Sequence, residues 1–260
     1  MGRLKVGVMI ESFRMGVKGG ITKAAELGVE GFQVYVTRGE LAPWNMTKSA
    51  RREFRHFVDG LGLTISALCG DLGHGYTDPS RMEELLGKSK QILDLSADLH
   101  VAVVTTHIGV IPEDDSHPTR AVLTEALEEL GGYAEKVGSV FATETGPEDP
   151  ALMRRFLDGL RTEAVRVNYD PANLVMRGFD HVKGVRDLAP YIVHTHAKDG
   201  IRTAEGRGKE VPLGEGGVDW PAYLGALEEA GYRGFFTIER EVGENPVADI
   251  AKAVEFLRRF

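Results

Sequence analysis

The chain has 260 residues, 42% of them hydrophobic and 27% charged, with a formal net charge of −8. That length buries a sizeable core in one or two domains, and α/β barrels of roughly 200–250 residues commonly form one; the acidic balance disfavours nucleic acid and anionic membrane as general partners. The single cysteine, Cys69, excludes an intrachain disulfide and fits a reducing compartment.

In chain order, the first apolar run is KVGVMI (5–10), which Glu11 ends. It is too short for a signal-peptide core or a membrane span, and no run of ~18 apolar residues follows anywhere, so a cytoplasmic protein is expected. Gly2 follows Met1, but MGRLKV lacks the hydroxyl residue of a myristoylation site. Seven more short runs follow: GFQVYV (31–36), TISALC (64–69), AVVTTH (102–107), SVFATE (139–144), VRVNYD (165–170), YIVHTH (191–196) and GFFTIE (234–239). They are rich in β-branched and aromatic residues and almost continuously apolar, as parallel strands buried on both faces are.

Helical spacing separates the runs. GITKAAELG sets Ile21, Ala24 and Ala25 on one face, with Gly28 as the expected C-terminal stop. PSRMEELLGKSKQILDLSADL is a longer amphipathic stretch, with Pro79 expected in its first turn behind Asp78. TRAVLTEALEELGGYAEKVG and WPAYLGALEEAGY follow the same pattern, and GENPVADIAKAVEFLRRF closes the chain with basic residues in its last turn, where they suit the helix dipole. Eight alternating strand–helix units predict a parallel sheet closed into a single (β/α)8 TIM barrel, one domain over 1–260. An open doubly wound sheet is the alternative, but IESFRMGVKGG after the first run is not a G-x-G-x-x-G fingerprint.

A barrel carries its active site where strands end and βα loops begin. Those ends hold Glu11, Gln33 or Tyr35, Asp71 with His74, His107, Glu144, Asp170, His194 with His196, and Glu239 with Glu241. Three carboxylates and an imidazole at four successive ends, Glu144, Asp170, His196 and Glu239, repel one another unless a cation joins them. Mixed oxygen and nitrogen donors without thiolates suit one divalent ion, Mn, Mg, Co, Fe or Zn. Taken alone, Asp170 in NYDPANL reads equally well as a turn or helix cap. His194 and His196 share a strand face, and His196, nearer the rim, is expected to reach the ion.

Five motifs in this order, FATETG, NYDPANL, VHTHAKD, PLGEGGVDW and FTIERE, resemble the xylose-isomerase-like barrel superfamily of sugar and sugar-phosphate isomerases and epimerases, D-tagatose 3-epimerase and hydroxypyruvate isomerase among them, with endonuclease IV a distant relation. The resemblance implies that Glu144, Asp170, His196 and Glu239 ligate one divalent metal, and that Glu144 and Glu239 flank a carbohydrate substrate as an acid/base pair. It implies substrate contacts for His107, Asn173, Lys198 and Arg207. Asn173 stands where the epimerases commonly have a histidine. RGKEVPLGEG lacks the His/Asp pair of the nuclease branch, which with the acidic charge argues against DNA repair. Lys198, Arg207 and Lys209 suit either a phosphate-binding loop or a solvated basic one. Glu215 reads as a loop residue, and Trp44 as packing rather than a lid. The expected function is a metal-dependent isomerase or epimerase working through an enediolate. The alternatives are an abasic-site endonuclease, a β-eliminating lyase, or an accessory barrel subunit; the sequence leaves a homo-oligomer open.

Overall fold

In this computed structural model, residues 3–260 are described; Gly2 lies outside them. Eight parallel strands close on themselves: β1 (Lys5–Met9), β2 (Gly31–Tyr35), β3 (Thr64–Cys69), β4 (Val103–Thr106), β5 (Val140–Glu144), β6 (Val165–Tyr169), β7 (Ile192–Ala197) and, after two short strands outside the barrel, β10 (Phe235–Ile238). Closure is made by the parallel pairing of β1 with β10, Val6 opposite Phe236 and Val8 opposite Ile238. The helices are α1 (Gly16–Glu26), α2 (Lys48–Gly60), α3 (Met82–Asp98), α4 (Pro118–Val137), α5 (Pro150–Asp158), α6 (Pro171–Arg177), α7 (His181–Leu188), α8 (Trp220–Glu229) and α9 (Pro246–Leu257). Among the described residues no helix is long and apolar enough to cross a membrane.

Strand side chains alternate between the barrel interior and the helix layer. Phe32, Val34, Leu68, Val104, Phe141, Val167, Phe236 and Ile238 are buried, and they join the inner faces of the helices in one apolar core. The other face carries smaller or polar groups. Phe235 lies across Gly31 and Gly7: a Cβ on Gly31 would come 2.5 Å from the Phe235 ring and 2.8 Å from the Thr64 carbonyl oxygen. Higher in the barrel, Gln33, Thr105, Asn168, His194, His196 and Thr237 are all buried. The register Asn168 opposite Glu144 and His194, and His196 opposite Thr237, brings these polar residues together beneath the C-terminal rim.

Helix starts follow a repeated device. His117, Asp149, Asp170 and Asn245 cap α4, α5, α6 and α9, each with proline next, and Asp219 caps α8 with proline one residue later. The side chain satisfies an orphan amide, and proline needs none. Pro79 departs from expectation: Pro79–Arg81 forms a separate 3-10 turn capped by Asp78, and α3 begins at Met82. The loop after β7 also differs. It folds as an antiparallel hairpin, β8 (Asp199–Arg202) with β9 (Gly208–Val211), seated on α6. Met176 packs so closely there that a Cβ on Gly200 or Gly208 would fall 2.7 Å from it.

Candidate active site

Glu144 ends β5, Asp170 follows β6, His196 is the penultimate residue of β7, and Glu239 follows β10. One ligand atom from each lies within 4.8 Å of the other three. His196 Nδ1 is 3.7 Å from Glu144 Oε1, 3.8 Å from Asp170 Oδ2 and 3.4 Å from Glu239 Oε2. Those separations exceed a hydrogen bond. They are shorter than twice a metal–oxygen bond of about 2.1 Å, as for donors that share one ion.

The orphaned atoms point the same way. Asp170 Oδ2 and His196 Nδ1 are buried and have no hydrogen-bond partner. The other atom of each residue is committed. Asp170 Oδ1 accepts from the Ala172 and Asn173 amides (2.8 and 3.1 Å) as the cap of α6. His196 Nε2 donates to Gln33 Oε1 (2.9 Å), and Gln33 Nε2 donates in turn to Thr105 Oγ1 (2.7 Å). With a cation bound the imidazole is neutral, and this anchoring then leaves its lone pair on Nδ1, facing the carboxylates; without one, Glu239 and Glu144 hold the ring protonated against burial. An O3N set fits a hard or borderline divalent cation.

His194 is a different kind of residue. Its Nδ1 donates to Asn168 Oδ1 (2.8 Å) and its Nε2 accepts from Thr237 Oγ1 (2.9 Å), so both nitrogens are spent on structure. Burial pushes its pKa well below the ordinary value, keeping it neutral. Asn168 passes this order on by donating to Glu144 Oε2 (3.2 Å). Asn173 Nδ2 donates to the other oxygen, Glu144 Oε1, at 2.9 Å and to the Thr145 carbonyl at 3.2 Å. Glu144 is thus gripped from two sides.

Lys198 was expected in a basic loop. It is instead almost fully buried, with Nζ 2.8 Å from Glu239 Oε2, in a close ion pair with Glu241 Oε2 and 3.9 Å from Asp170 Oδ2. Burial opposes its charge, but Glu239, Asp170 and Glu241 outweigh burial and hold the ammonium form above its usual range. Burial likewise opposes the Glu239 carboxylate, and the His196 and Lys198 charges overcome it, leaving the carboxyl far below the ordinary value. Glu144 is also lowered, burial again being outweighed, here by His196 and His107. His107 Nε2 is 3.7 Å from Glu144 Oε1, and Nδ1 is 2.9 Å from Asp71 Oδ2. The Glu144 charge and the Asp71 hydrogen bond raise its pKa to about 9.

Glu144, Glu239, His107, Asn173, Lys198, Gln33, Tyr35 and Glu241 line one cavity of about 120 Å3. Arg207 is not in that wall; it lines a neighbouring cavity, which also takes in His107 and Asn173. Glu11 turns aside and accepts from the Tyr35 amide (3.2 Å), and His74 faces a third cavity. Glu215 is an exposed loop residue, and Trp44 is 42% exposed under Lys88 without lining the site. Asn168 and Thr105 escaped the sequence reading. Their signal was spacing: each lies two residues before a rim residue, Asp170 and His107, and so shares its interior face. Asp199 escaped it too. It is buried and accepts from the Gly214 and Val218 amides and from Trp220 Nε1, tying the LGEGGVDW loop to the hairpin.

A family model described as xylose isomerase-like TIM barrel matches residues 21–260. The L-ribulose-5-phosphate 3-epimerase UlaE of Salmonella heidelberg (strain SL476) is 41% identical over 253 residues, covering 92% of this chain and 87% of the relative. The enzyme of the same name from Salmonella paratyphi C (strain RKS4594) matches over 70 residues, 26% of this chain, so the chain spans about a quarter (24%) of that relative. A xylose isomerase domain protein from Planctomyces limnophilus superposes with a TM-score of 0.86 at 27% identity, covering 98% of this chain and 95% of that one. D-psicose 3-epimerase from Clostridium cellulolyticum H10 shares the fold, with a TM-score of 0.80 at 17% identity over 98% and 99% of the two chains.

Proposed function

Because this chain belongs to the xylose isomerase-like TIM barrel family, we propose that it is a divalent-metal-dependent epimerase or isomerase of a ketose or ketose phosphate. The observation that carries this is the convergence of Glu144, Asp170, His196 and Glu239, with two of their buried atoms unpartnered. A cation held by these four would supply Lewis acidity to a carbonyl and its neighbouring hydroxyl, making the carbon between them acidic.

The chain's own groups do the rest. Glu144 and Glu239 both lie partly exposed at the cavity wall and both are held as carboxylates, so either can accept a proton from carbon. The carbon acid loses its proton to one carboxylate, leaving an enediolate. Epimerisation needs the opposite side chain to enter the step as the carboxylic acid, with a proton taken from solvent, and to give that proton to the other face of the same carbon; return of the abstracted proton by the first residue to the adjacent carbon is an aldose–ketose shift. Asn168 and Asn173 hold Glu144 in one orientation, and Lys198 holds Glu239. Salmonella relatives named as L-ribulose-5-phosphate 3-epimerase support this reaction class. An abasic-site nuclease is less well supported, since a single four-donor group is found among the described residues.

The test is proton exchange. With a ketose or ketose phosphate that the enzyme turns over, solvent deuterium should enter the carbon beside the carbonyl. Glu144→Gln and Glu239→Gln should each cut kcat by about 10²- to 10⁴-fold, the usual share of general acid–base catalysis. Full exchange and turnover in both variants would sink the two-carboxylate mechanism.

A further inference from the structure

Lysine side chains are seldom buried, because the ammonium group loses its water. Lys198 is only 3% exposed, and it lies in the wall of the cavity over the donor group. It touches the donors themselves. Nζ is 2.8 Å from Glu239 Oε2 and 3.9 Å from Asp170 Oδ2, the oxygen that the α6 cap leaves unpartnered. Glu239 Oε2 is also the atom 3.4 Å from His196 Nδ1. The ammonium therefore sits against an oxygen that turns towards the other donors.

The backbone fixes it there. Lys198 follows His196 by two residues and shares its interior face. The preceding residue, Ala197, pairs with Ile238, and its carbonyl accepts from the Glu239 amide at 3.2 Å, which sets the ends of β7 and β10 side by side. The following residue, Asp199, is buried and accepts from the Gly214 and Val218 amides and from Trp220 Nε1. Lys198 is thus held between two anchored neighbours, and its charge has a fixed place.

That place decides the charge of the donor group. Glu144, Asp170 and Glu239 bring three negative charges together, and the Lys198 ammonium leaves two of them unbalanced. The other charges nearby are balanced or wet. His107 approaches Glu144 but has its own carboxylate, Asp71, at 2.9 Å. Glu241, the second partner of Lys198, has a side chain 63% exposed, where water screens it. With His196 neutral, the remaining charge is equal and opposite to that of one divalent cation. A trivalent ion would leave a positive charge where little water reaches, which is costly.

We propose that Lys198 is the charge-selecting residue of the metal centre: its ammonium group weakens the binding of every cation by the four donors, and of trivalent cations most, so that the centre is matched to a divalent ion. The proposal rests on the four-donor metal reading and not on the sugar chemistry. Coulomb energy grows with the product of the charges, so on a logarithmic scale removing one positive charge should favour a trivalent ion about half as much again as a divalent one.

The test compares Mn²⁺ with Lu³⁺, ions of nearly equal radius and different charge, bound to chelator-treated protein and followed by calorimetry. Lys198→Met should raise the Mn²⁺ affinity about 100-fold and the Lu³⁺ affinity about 1,000-fold, so that their ratio moves about tenfold towards Lu³⁺. Lys198→Arg keeps the charge and should leave the ratio unchanged. Glu241→Gln removes the outer partner of the ammonium without removing a donor. It should shift both affinities the opposite way, by only about 2- to 5-fold because Glu241 is exposed, with Lu³⁺ losing more. A lysine that merely held Glu239 in place would, once removed, weaken both ions alike and leave the ratio where it was. That result in Lys198→Met would overturn the proposal. If Lys198→Met does not fold, Glu241→Gln decides: an unmoved ratio there overturns the proposal just as well. Parent protein that binds Mn²⁺ keeps the four-donor reading intact whichever way the variants fall, and parent protein that binds neither ion overturns both.

Discussion

Asp170 shows how one side chain answers two demands. Asp-Pro is this chain's ordinary way to begin a helix: Asp149 does the same for α5 and accepts from the Ala151 amide at 2.8 Å. Asp170 performs that duty with Oδ1 and keeps Oδ2 free and buried beside His196. The cap reading of NYDPANL holds for Oδ1, and Oδ2 is left available for the proposed ligand role. Glu148 presents the opposite case, a buried carboxylate with neither oxygen partnered. Burial pushes its pKa up to about 7 from an ordinary 4.5. Between those values the folded protein holds a proton that the unfolded chain has lost, so stability falls as pH rises from 4.5 to 7 and stays reduced above it. Glu148→Gln should remove that slope. The variant should match the parent near pH 4.5 and exceed it at pH 8 by at most about 3 kcal/mol, read as thermal melts across the range. Equal melts at pH 8 would show that the Ile111 backbone and the Arg177 charge compensate the burial of Glu148.

At the scale of elements, strands were far more legible than loops. Parallel strands buried on both faces are runs of β-branched and aromatic residues, and all eight appear close to their expected bounds. Within β2, Gly31 is required: its missing Cβ admits Phe235 across the barrel floor. Gly31→Ala should cost about 1–3 kcal/mol of stability by overpacking, measured by chemical denaturation, with Gly225→Ala in the open on α8 as a control that costs little or nothing. The β8–β9 hairpin could not be foreseen, because its residues carry no alternating apolar pattern. It is held by Asp199, by close approach of Gly200 and Gly208 to Met176, and by pairing across the turn. Lys198, between β7 and the hairpin, is buried, and Arg207, in the hairpin's turn, lines the outer cavity, which divides two residues that the sequence placed in one loop.

For the whole molecule, the donor group draws on β5, β6, β7 and β10, so it exists only when the barrel is closed. An ion that binds there and not to the unfolded chain stabilises the fold by mass action, about 2.7 kcal/mol at 100 times its Kd. Adding Mn²⁺, Co²⁺ or Mg²⁺ to chelator-treated protein should raise the Tm by roughly 5–10 °C for a chain of this size. Asp170→Asn, which keeps an oxygen for the helix cap, should abolish the shift while leaving the metal-free melt nearly unchanged. Glu239 and Glu144 hold a proton on buried His196 against burial, so metal and proton compete, and the shift should shrink as pH is lowered. A metal-independent Tm at neutral pH would remove the four-donor site from the mechanism.

Local pattern was enough for the barrel and for the residue types at its rim. Strand count, alternation with helices and the residue type at each strand end are local properties, and period-two geometry turns them into a convergent ring. The tertiary structure alone decided which atoms face one another. It separated His194, with both nitrogens spent, from His196, with one free. It buried Lys198 against Glu239, and it turned three arginines distant from the carboxylates into one cavity wall. Those outcomes depend on strand register, on the hairpin's seat against α6 and on which oxygen a helix cap consumes. All are set by contacts between residues far apart in the chain, which no local pattern encodes.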